Sequence, residues 1–202
     1  MKKKQKRLLM IVIFLLAAFL RFYQIGNNPV SLYWDEVAIA LDAYSLSETG
    51  KDMNNMSMWQ PVFGSYGDFK APVLIILSSL SVRLLGMNAF AIRLPMAIIS
   101  LFSMLIAYYL VKELLAFDKH LKKKYQLLPI LTLFILAISP WPVHFARIAF
   151  ESSLSVFFLL LSLWFFLKGI KGKKYWILLS VIPALLGLYS YYSLRVIVPL
   201  FV

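Results

Sequence analysis

The sequence predicts an all-α polytopic membrane protein, and three observations carry that prediction. Hydrophobic residues make up 61% of the chain and the mean hydropathy is +0.79, far above a soluble domain. The apolar residues lie in blocks of helical length. The basic residues sit between those blocks, at 2–7, 112–124 and 168–174, as in cytoplasmic loops under the positive-inside rule. The net charge of +12 therefore describes membrane loops, and nucleic acid is set aside as a partner. With no cysteine, disulfide and thiol chemistry are excluded.

Taken in order, the first span covers 8–25. Its basic start and apolar run look like a signal peptide, but no small-x-small cleavage pattern follows. Arg21-Phe22-Tyr23 reads as an interfacial anchor, so the segment is expected to remain as an uncleaved first span. Further spans are expected at 94–111, 127–143, 154–167 and 175–189, with a last one beginning at 196 and running to 202. The segment 72–87 is ambiguous. Its sixteen residues reach about 24 Å as a helix, short of a hydrocarbon core of about 30 Å, and it carries Ser78, Ser79, Ser81 and Arg83.

Charge decides how that segment lies. A crossing at 72–87 would put the basic loops 112–124 and 168–174 outside. A helix along the outer interface leaves both loops and the N-terminus in the cytoplasm. The interfacial reading is favoured, with the N-terminus cytoplasmic in a multi-pass cell-membrane protein. The loop 26–92, the loop 139–153 and residues 190–195 then share the non-cytoplasmic face. Seven of the nine acidic residues fall there: Asp35, Glu36, Asp42, Glu48, Asp52, Asp68 and Glu151. In the long loop, 35–47 has helical spacing, with Val37, Leu41 and Tyr44 on one side, and is expected to lie flat on the membrane. Residues 51–55 and 64–67 are turn-rich, and Pro72 suits the first turn of a helix. Without internal repeat or low-complexity linker, 1–202 reads as one membrane domain, expected to be the N-terminal part of a longer protein.

Three stretches on that face could carry chemistry. In Tyr33-Trp34-Asp35-Glu36, a partly desolvated carboxylate could act as base on a hydroxyl; the plainer alternative makes Asp35 a helix N-cap. In Gly67-Asp68-Phe69-Lys70-Ala71-Pro72, the Lys70 ammonium at a helix start could meet a lipid phosphate or simply snorkel. In the run from Ser139 to Glu151, Arg147 and Glu151 stand i, i+4 and could pair along one helix. The other reading brings Glu151 near Asp35 on one face of a single cavity, with Arg147 or His144 toward an anionic head group. Arg195, in Tyr189-Ser190-Tyr191-Tyr192-Ser193-Leu194-Arg195, offers another phosphate contact or an aromatic-belt arginine.

The ordered set Arg21-Phe22-Tyr23, Tyr33-Trp34-Asp35-Glu36, Asp68-Phe69-Lys70-Ala71-Pro72, Arg93-Leu94-Pro95, Ser139-Pro140-Trp141, Ala146 to Glu151 and Arg195-Val196 resembles the GT-C membrane glycosyltransferases. It is most similar to bacterial members of family 39, akin to protein O-mannosyltransferases and the lipid A aminoarabinose transferase. The resemblance implies a GT-C-type helical bundle with interfacial helices in the first outer loop. It implies inverting transfer of a sugar from a polyprenyl-phosphate carrier to a protein, glycan or lipid acceptor on the outer face. Asp35, with Glu36 and Glu151, is then expected at the catalytic centre, and Lys70, Arg147 and Arg195 at the carrier phosphate. The resemblance fixes no cofactor, and a divalent metal stays open with Asp68 and His144 as candidates, because Phe69 stands where related enzymes can carry an acid. Such enzymes have more spans and a later outer loop, so this stretch alone is not expected to be active. Two other classes compete. A lipid-carrier flippase would place charges at mid-membrane depth, whereas the spans between 94 and 189 carry them only at their ends. A non-catalytic remnant is the third reading.

Overall fold

The computed structural model describes residues 3–201; the basic Lys2 and the final Val202 of the expected last span lie outside the described residues. The chain is a bundle of helices with one short hairpin. α1 (Lys3–Phe22) presents Leu8, Val12, Leu15 and Phe19 outward, an exposed apolar stripe at helical spacing, as a lipid-facing side requires. Its opposite face, Ile13 and Ala17, packs with Met104, Ile130, Leu133 and Ala137 into one apolar cluster.

α2 (Trp34–Thr49) covers the helix expected at 35–47, but its apolar residues are not gathered on one side: Ala38, Ile39, Ala43 and Leu46 are buried in the protein, while Val37 and Tyr44 of the expected apolar side are exposed. It ends at Gly50, whose φ of +73° lets its N–H reach back to the Leu46 carbonyl, a left-handed closure that glycine adopts without strain. The turn-rich stretches resolve into a loop organised by Asp52 and a hairpin, β1 (Phe63–Ser65) against β2 (Asp68–Lys70). Tyr66 and Gly67 both have positive φ, the geometry a two-residue hairpin turn needs. The hairpin register sets Phe63 opposite Lys70. α3 (Pro72–Leu85) opens with Pro72 in its first turn, as expected, and packs against α2. A second apolar cluster, which includes Ile39, Phe63, Leu74, Ile92, Met96 and Leu154, fastens this layer to the long helices α4 and α8.

α4 (Ala89–Leu115) is longer than the span expected at 94–111, because Asn88 caps it by accepting from the Ala91 N–H at 2.9 Å. α5 (Lys119–Lys124) is a short basic helix capped by Asp118. The single span expected at 127–143 is corrected: it is two helices, α6 (Leu128–Ile138) and α7 (Pro140–Ala146), bent by 59°. Pro140 cannot supply the N–H that would continue the helix, so the chain turns at Ser139. α8 (Glu151–Lys171) and α9 (Tyr175–Leu188) form a close hairpin. A Cβ on Gly169 would stand 2.8 Å from the Ile177 nitrogen, so only glycine lets the two helices meet there. The expected last span starts as α10 (Leu194–Ile197) and passes into a 3₁₀ turn. By length and apolarity α4 and α8 can cross a bilayer, with the bent α6–α7 pair a third. α3 and α9 are shorter apolar helices.

Charge is sorted along the bundle. Lys6 bonds Gln126 and Lys171 bonds the carboxylate and carbonyl of Glu113, so the three basic segments gather at one end. Asp35, Glu36, Lys70, Arg93 and Glu151 are interlinked at the other.

Candidate active site

The two neighbouring acids of α2 have different environments. The α-helix turns about 100° per residue, so Asp35 and Glu36 face different sides. Glu36 faces inward and is 1% exposed in its side chain. Its Oε1 accepts from Arg93 Nε at 2.8 Å and from the Ala149 N–H at 2.9 Å. Its Oε2 accepts from Arg93 Nη2 at 3.1 Å and from the Tyr33 N–H at 3.0 Å, which also satisfies a free donor at the helix start. Four donors saturate the carboxylate. Arg93, fully buried, spends its other N–H groups on the carbonyls of Ile25, Pro29 and Ser31 at 2.8–2.9 Å. Arg147 does the same for the Leu20 and Asn28 carbonyls at 2.8 and 2.9 Å. Burial and the nearby Arg93 charge push its pKa down. Two guanidinium groups thus stitch the connection between α1 and α2 to α4 and α7.

Asp35 remains partly open, its side chain 21% exposed, and forms an ion pair with Lys70. Lys70, the last residue of β2, also bonds Asp68 at 2.8 Å. Burial works to lower the Lys70 pKa, but the hydrogen bonds and charges of Asp35 and Asp68 outweigh it, and the net direction is upward. Asp68 is held below the usual carboxylate range by the Lys70 hydrogen bond and then by the Phe69 N–H.

Glu151, at the start of α8, is brought to the same place from 80 residues away: its Oε1 accepts the Ala71 N–H at 2.8 Å. Pro72 follows, so this carboxylate anchors the end of the hairpin to α8 just where α3 begins. Tyr192 closes the group, donating its hydroxyl to the Phe69 carbonyl at 3.2 Å. Burial pushes its phenol pKa up. Arg195 stacks over the Tyr192 ring at 4.6 Å, and its Nε donates to the Leu188 carbonyl at 3.2 Å.

Asp35, Asp68, Lys70, Glu151, Tyr192 and Arg195 therefore converge, from α2, β2, α8 and the segment after α9. The alternative in which Asp35 is the N-cap is corrected: Tyr33 holds that position. The local Arg147–Glu151 pair is also corrected. The helix breaks between α7 and α8, and each side chain finds distant partners instead. Arg147 is committed to backbone carbonyls rather than turned to the Lys70 group. His144 is exposed on α7, edge-on to Phe145 at 5.6 Å. Among the described residues no three of His, Cys, Asp and Glu gather as a metal-binding group, and Asp68 and His144 do not meet in one. Sequence reasoning singled out Arg93 only as part of a pattern and overlooked Tyr192. A charged residue inside the start of an apolar helix was the available signal for the first.

Comparison with known proteins supplies the identity. A putative-labelled relative from Bacillus subtilis (strain 168), "Putative mannosyltransferase YkcB", is 29% identical over 182 residues, covering 88% of this chain and 23% of that protein. The chain thus spans about a quarter of the length of that relative. No solved structure matches the chain significantly. Residues 69–202 match the family described as dolichyl-phosphate-mannose-protein mannosyltransferase, a stretch that includes Lys70, Arg93, Glu151, Tyr192 and Arg195. This chain, a helical membrane bundle with one short hairpin whose matched region carries most of the charged cluster, belongs to the dolichyl-phosphate-mannose-protein mannosyltransferase family.

Proposed function

We propose that the full-length protein transfers a sugar, with inversion, from a polyprenyl-phosphate carrier to an acceptor hydroxyl on the non-cytoplasmic face. The observation that carries this reading is the placement of a partly open carboxylate, Asp35, against the ammonium of Lys70. Asp35 takes the proton from the acceptor hydroxyl as its oxygen bonds to the sugar's anomeric carbon. The bond from that carbon to the carrier phosphate breaks on the opposite face, and the leaving phosphate keeps the electron pair. Lys70 exchanges its carboxylate partners for that phosphate, which neutralises the leaving group and frees Asp35 to act as base. Arg195, exposed beside Tyr192, is the second cation for the phosphate. Glu151 positions the Lys70 strand through Ala71. Glu36, expected at the catalytic centre, and Arg147, expected at the carrier phosphate, are instead assigned to holding the connection after α1.

The N-terminus and the lysine-rich end face the cytoplasm in this reading, supported by the sorting of basic and acidic segments to opposite ends. Residues 1–202 act as one unit, because α4 contributes to both apolar clusters. Single-cysteine labelling is direct in a chain without cysteine: an impermeant thiol reagent should reach position 68 and not position 122 in intact cells, and the reverse would overturn the orientation.

The chemical test separates rate from binding. Asp35→Asn should lower turnover of the full-length enzyme by about 10²–10⁴-fold, the range for removing a general base, with carrier-lipid affinity little changed. Near-normal transfer by Asp35→Asn would sink the assignment.

A further inference from the structure

At the lysine-rich end lies a cavity of about 520 Å³ that the transfer reaction does not use. Lys6, Lys112, Lys119, Lys122 and Lys123 line it, contributed by α1, α4 and α5. Both acids in this region are committed elsewhere. Asp118 caps α5 by accepting from the His120 and Leu121 N–H groups at 2.6 and 3.3 Å. Glu113 faces Lys171 at 3.6 Å. Among the described residues, none of the five lysines has a carboxylate within ion-pairing distance. The floor of the cavity is apolar, made by Leu115, Pro129 and the nearly buried Ile130.

Two lysines of the neighbouring basic segment at the same end are closely partnered. Lys168 lies over the rings of Trp164 and Trp176 at 5.1 and 3.8 Å, and Lys171 bonds Glu113 and sits over Phe117 at 3.8 Å. The positive-inside tendency accounts for lysines at this end. Lys6 donates to Gln126 at 3.0 Å and Lys112 lies 5.9 Å over the Tyr109 ring, but the tendency does not account for five lysines lining one cavity beside apolar residues with no carboxylate among them. Like charges held together repel unless an anion sits among them.

We propose that this cavity binds an anionic phospholipid, its phosphate among the five lysines and the first part of its acyl chains along Leu115 and Ile130. The chemistry matches on both sides. Lysine meets phosphate as a point charge, basic pockets between membrane helices accept acidic head groups, and the lysine stems cover apolar surface beneath them. A soluble phosphate would use the lysines but leave the floor uncovered. The inference does not depend on the transfer reaction or on which leaflet this end faces.

The test uses the chain in nanodiscs of phosphatidylcholine containing a minor fraction of phosphatidylglycerol, with bound lipid read by native mass spectrometry. Phosphatidylglycerol should be retained in preference to phosphatidylcholine. The variant Lys112→Gln/Lys119→Gln/Lys122→Gln should lose about tenfold or more of that retention, since each lysine near an acidic lipid is worth about fivefold. Lys168→Gln/Lys173→Gln/Lys174→Gln, which removes equal charge at the same end, should stay within about twofold of the parent, because these residues do not line the cavity. Equal losses in the two variants, or no preference in the parent chain, would overturn the proposal. Competition with millimolar glycerophosphate should not displace the lipid; displacement would assign the site to a soluble phosphate and overturn the lipid. Should the first variant fail to fold, a photoreactive residue at Leu115 in the otherwise unaltered chain should crosslink phosphatidylglycerol beyond its share of the bilayer, whereas one at Ile170 should crosslink it only in proportion to that share. Equal crosslinking at both positions would count against the site.

Discussion

The Arg93 clamp and the Lys70 cluster are built from adjacent residues of one helix, yet they differ in every physical respect that separates support from chemistry. At the clamp, Glu36 and Arg93 are withdrawn from water and every polar direction is filled by a geometrically good partner. Replacing any partner leaves a buried charge uncompensated. At the cluster, Lys70 is shared between two carboxylates, one of them, Asp68, 65% exposed. Water and an incoming anion can compete for it. Saturation makes the first region rigid and chemically closed. The open carboxylates around a buried Lys70 make the second exchangeable.

The comparison breaks most easily at Arg93. Arg93→Ala should cost about 3–5 kcal/mol of stability, because Glu36 stays buried without its cation. Arg93→Lys should not restore it, since an ammonium cannot serve two carboxylate oxygens and three carbonyls in one plane. Thermal unfolding in detergent measures both, and a loss below about 1 kcal/mol for Arg93→Ala would mean the clamp is a surface-like pair after all.

Asp42, on the same helix, shows a buried acid with no cation. It is 0% exposed, and Oδ1 accepts only the Met53 N–H at 3.1 Å. Burial pushes its pKa up to about 6 from 3.8, with the Met53 bond opposing and Asp52 adding to the rise. A raised folded pKa means the folded chain holds this proton more tightly than the unfolded chain. The contribution is therefore fully present below about pH 4 and lost as pH rises through about 6. Asp42→Asn should raise stability near pH 8 by up to about 2–3 kcal/mol, and its advantage should shrink toward pH 4. A pH-independent effect in melting curves at both values would show that ionisation of Asp42 is not the cause.

Lys70→Ala sharpens the other side. Under the proposed transfer it should weaken carrier-lipid binding to the full-length protein by about 1.5–3 kcal/mol, the value of a lost charged hydrogen bond. Its effect on stability should stay below that of Arg93→Ala, because the carboxylates it leaves, 21% and 65% exposed, reach water whereas Glu36 does not. Calorimetric lipid titration beside a melting curve distinguishes these, and the opposite ranking would make Lys70 a second clamp. The smallest effect belongs to Asp68→Asn. With the Lys70 bond holding Asp68 deprotonated, loss of that charge should leave melting nearly unchanged near neutral pH, by less than about 0.5 kcal/mol for so exposed a pair. A larger loss would require Asp68 to be more than a surface partner of Lys70.

Composition, block spacing and the positions of lysine determined by themselves that this is a helical membrane protein with its basic segments apart from its acidic ones. Those features depend on length and transfer free energy, which are legible along a chain. Asp35, Lys70 and Glu151 could be chosen as a group because expensive charges beside apolar helices are few. Several features needed the tertiary structure. Asp35 and Glu36 are equivalent in sequence, and only the rotation between them on α2, with Arg93 arriving from α4, decides which is locked. Arg147 was expected to act locally or at a phosphate, but its acceptors are the carbonyls of Leu20 and Asn28, supplied by chain folding far away. Tyr192 carried no signal beyond an aromatic run until its hydroxyl met the Phe69 carbonyl. Sequence reports the cost of burying a charge; which partner offsets that cost is a matter of long-range geometry.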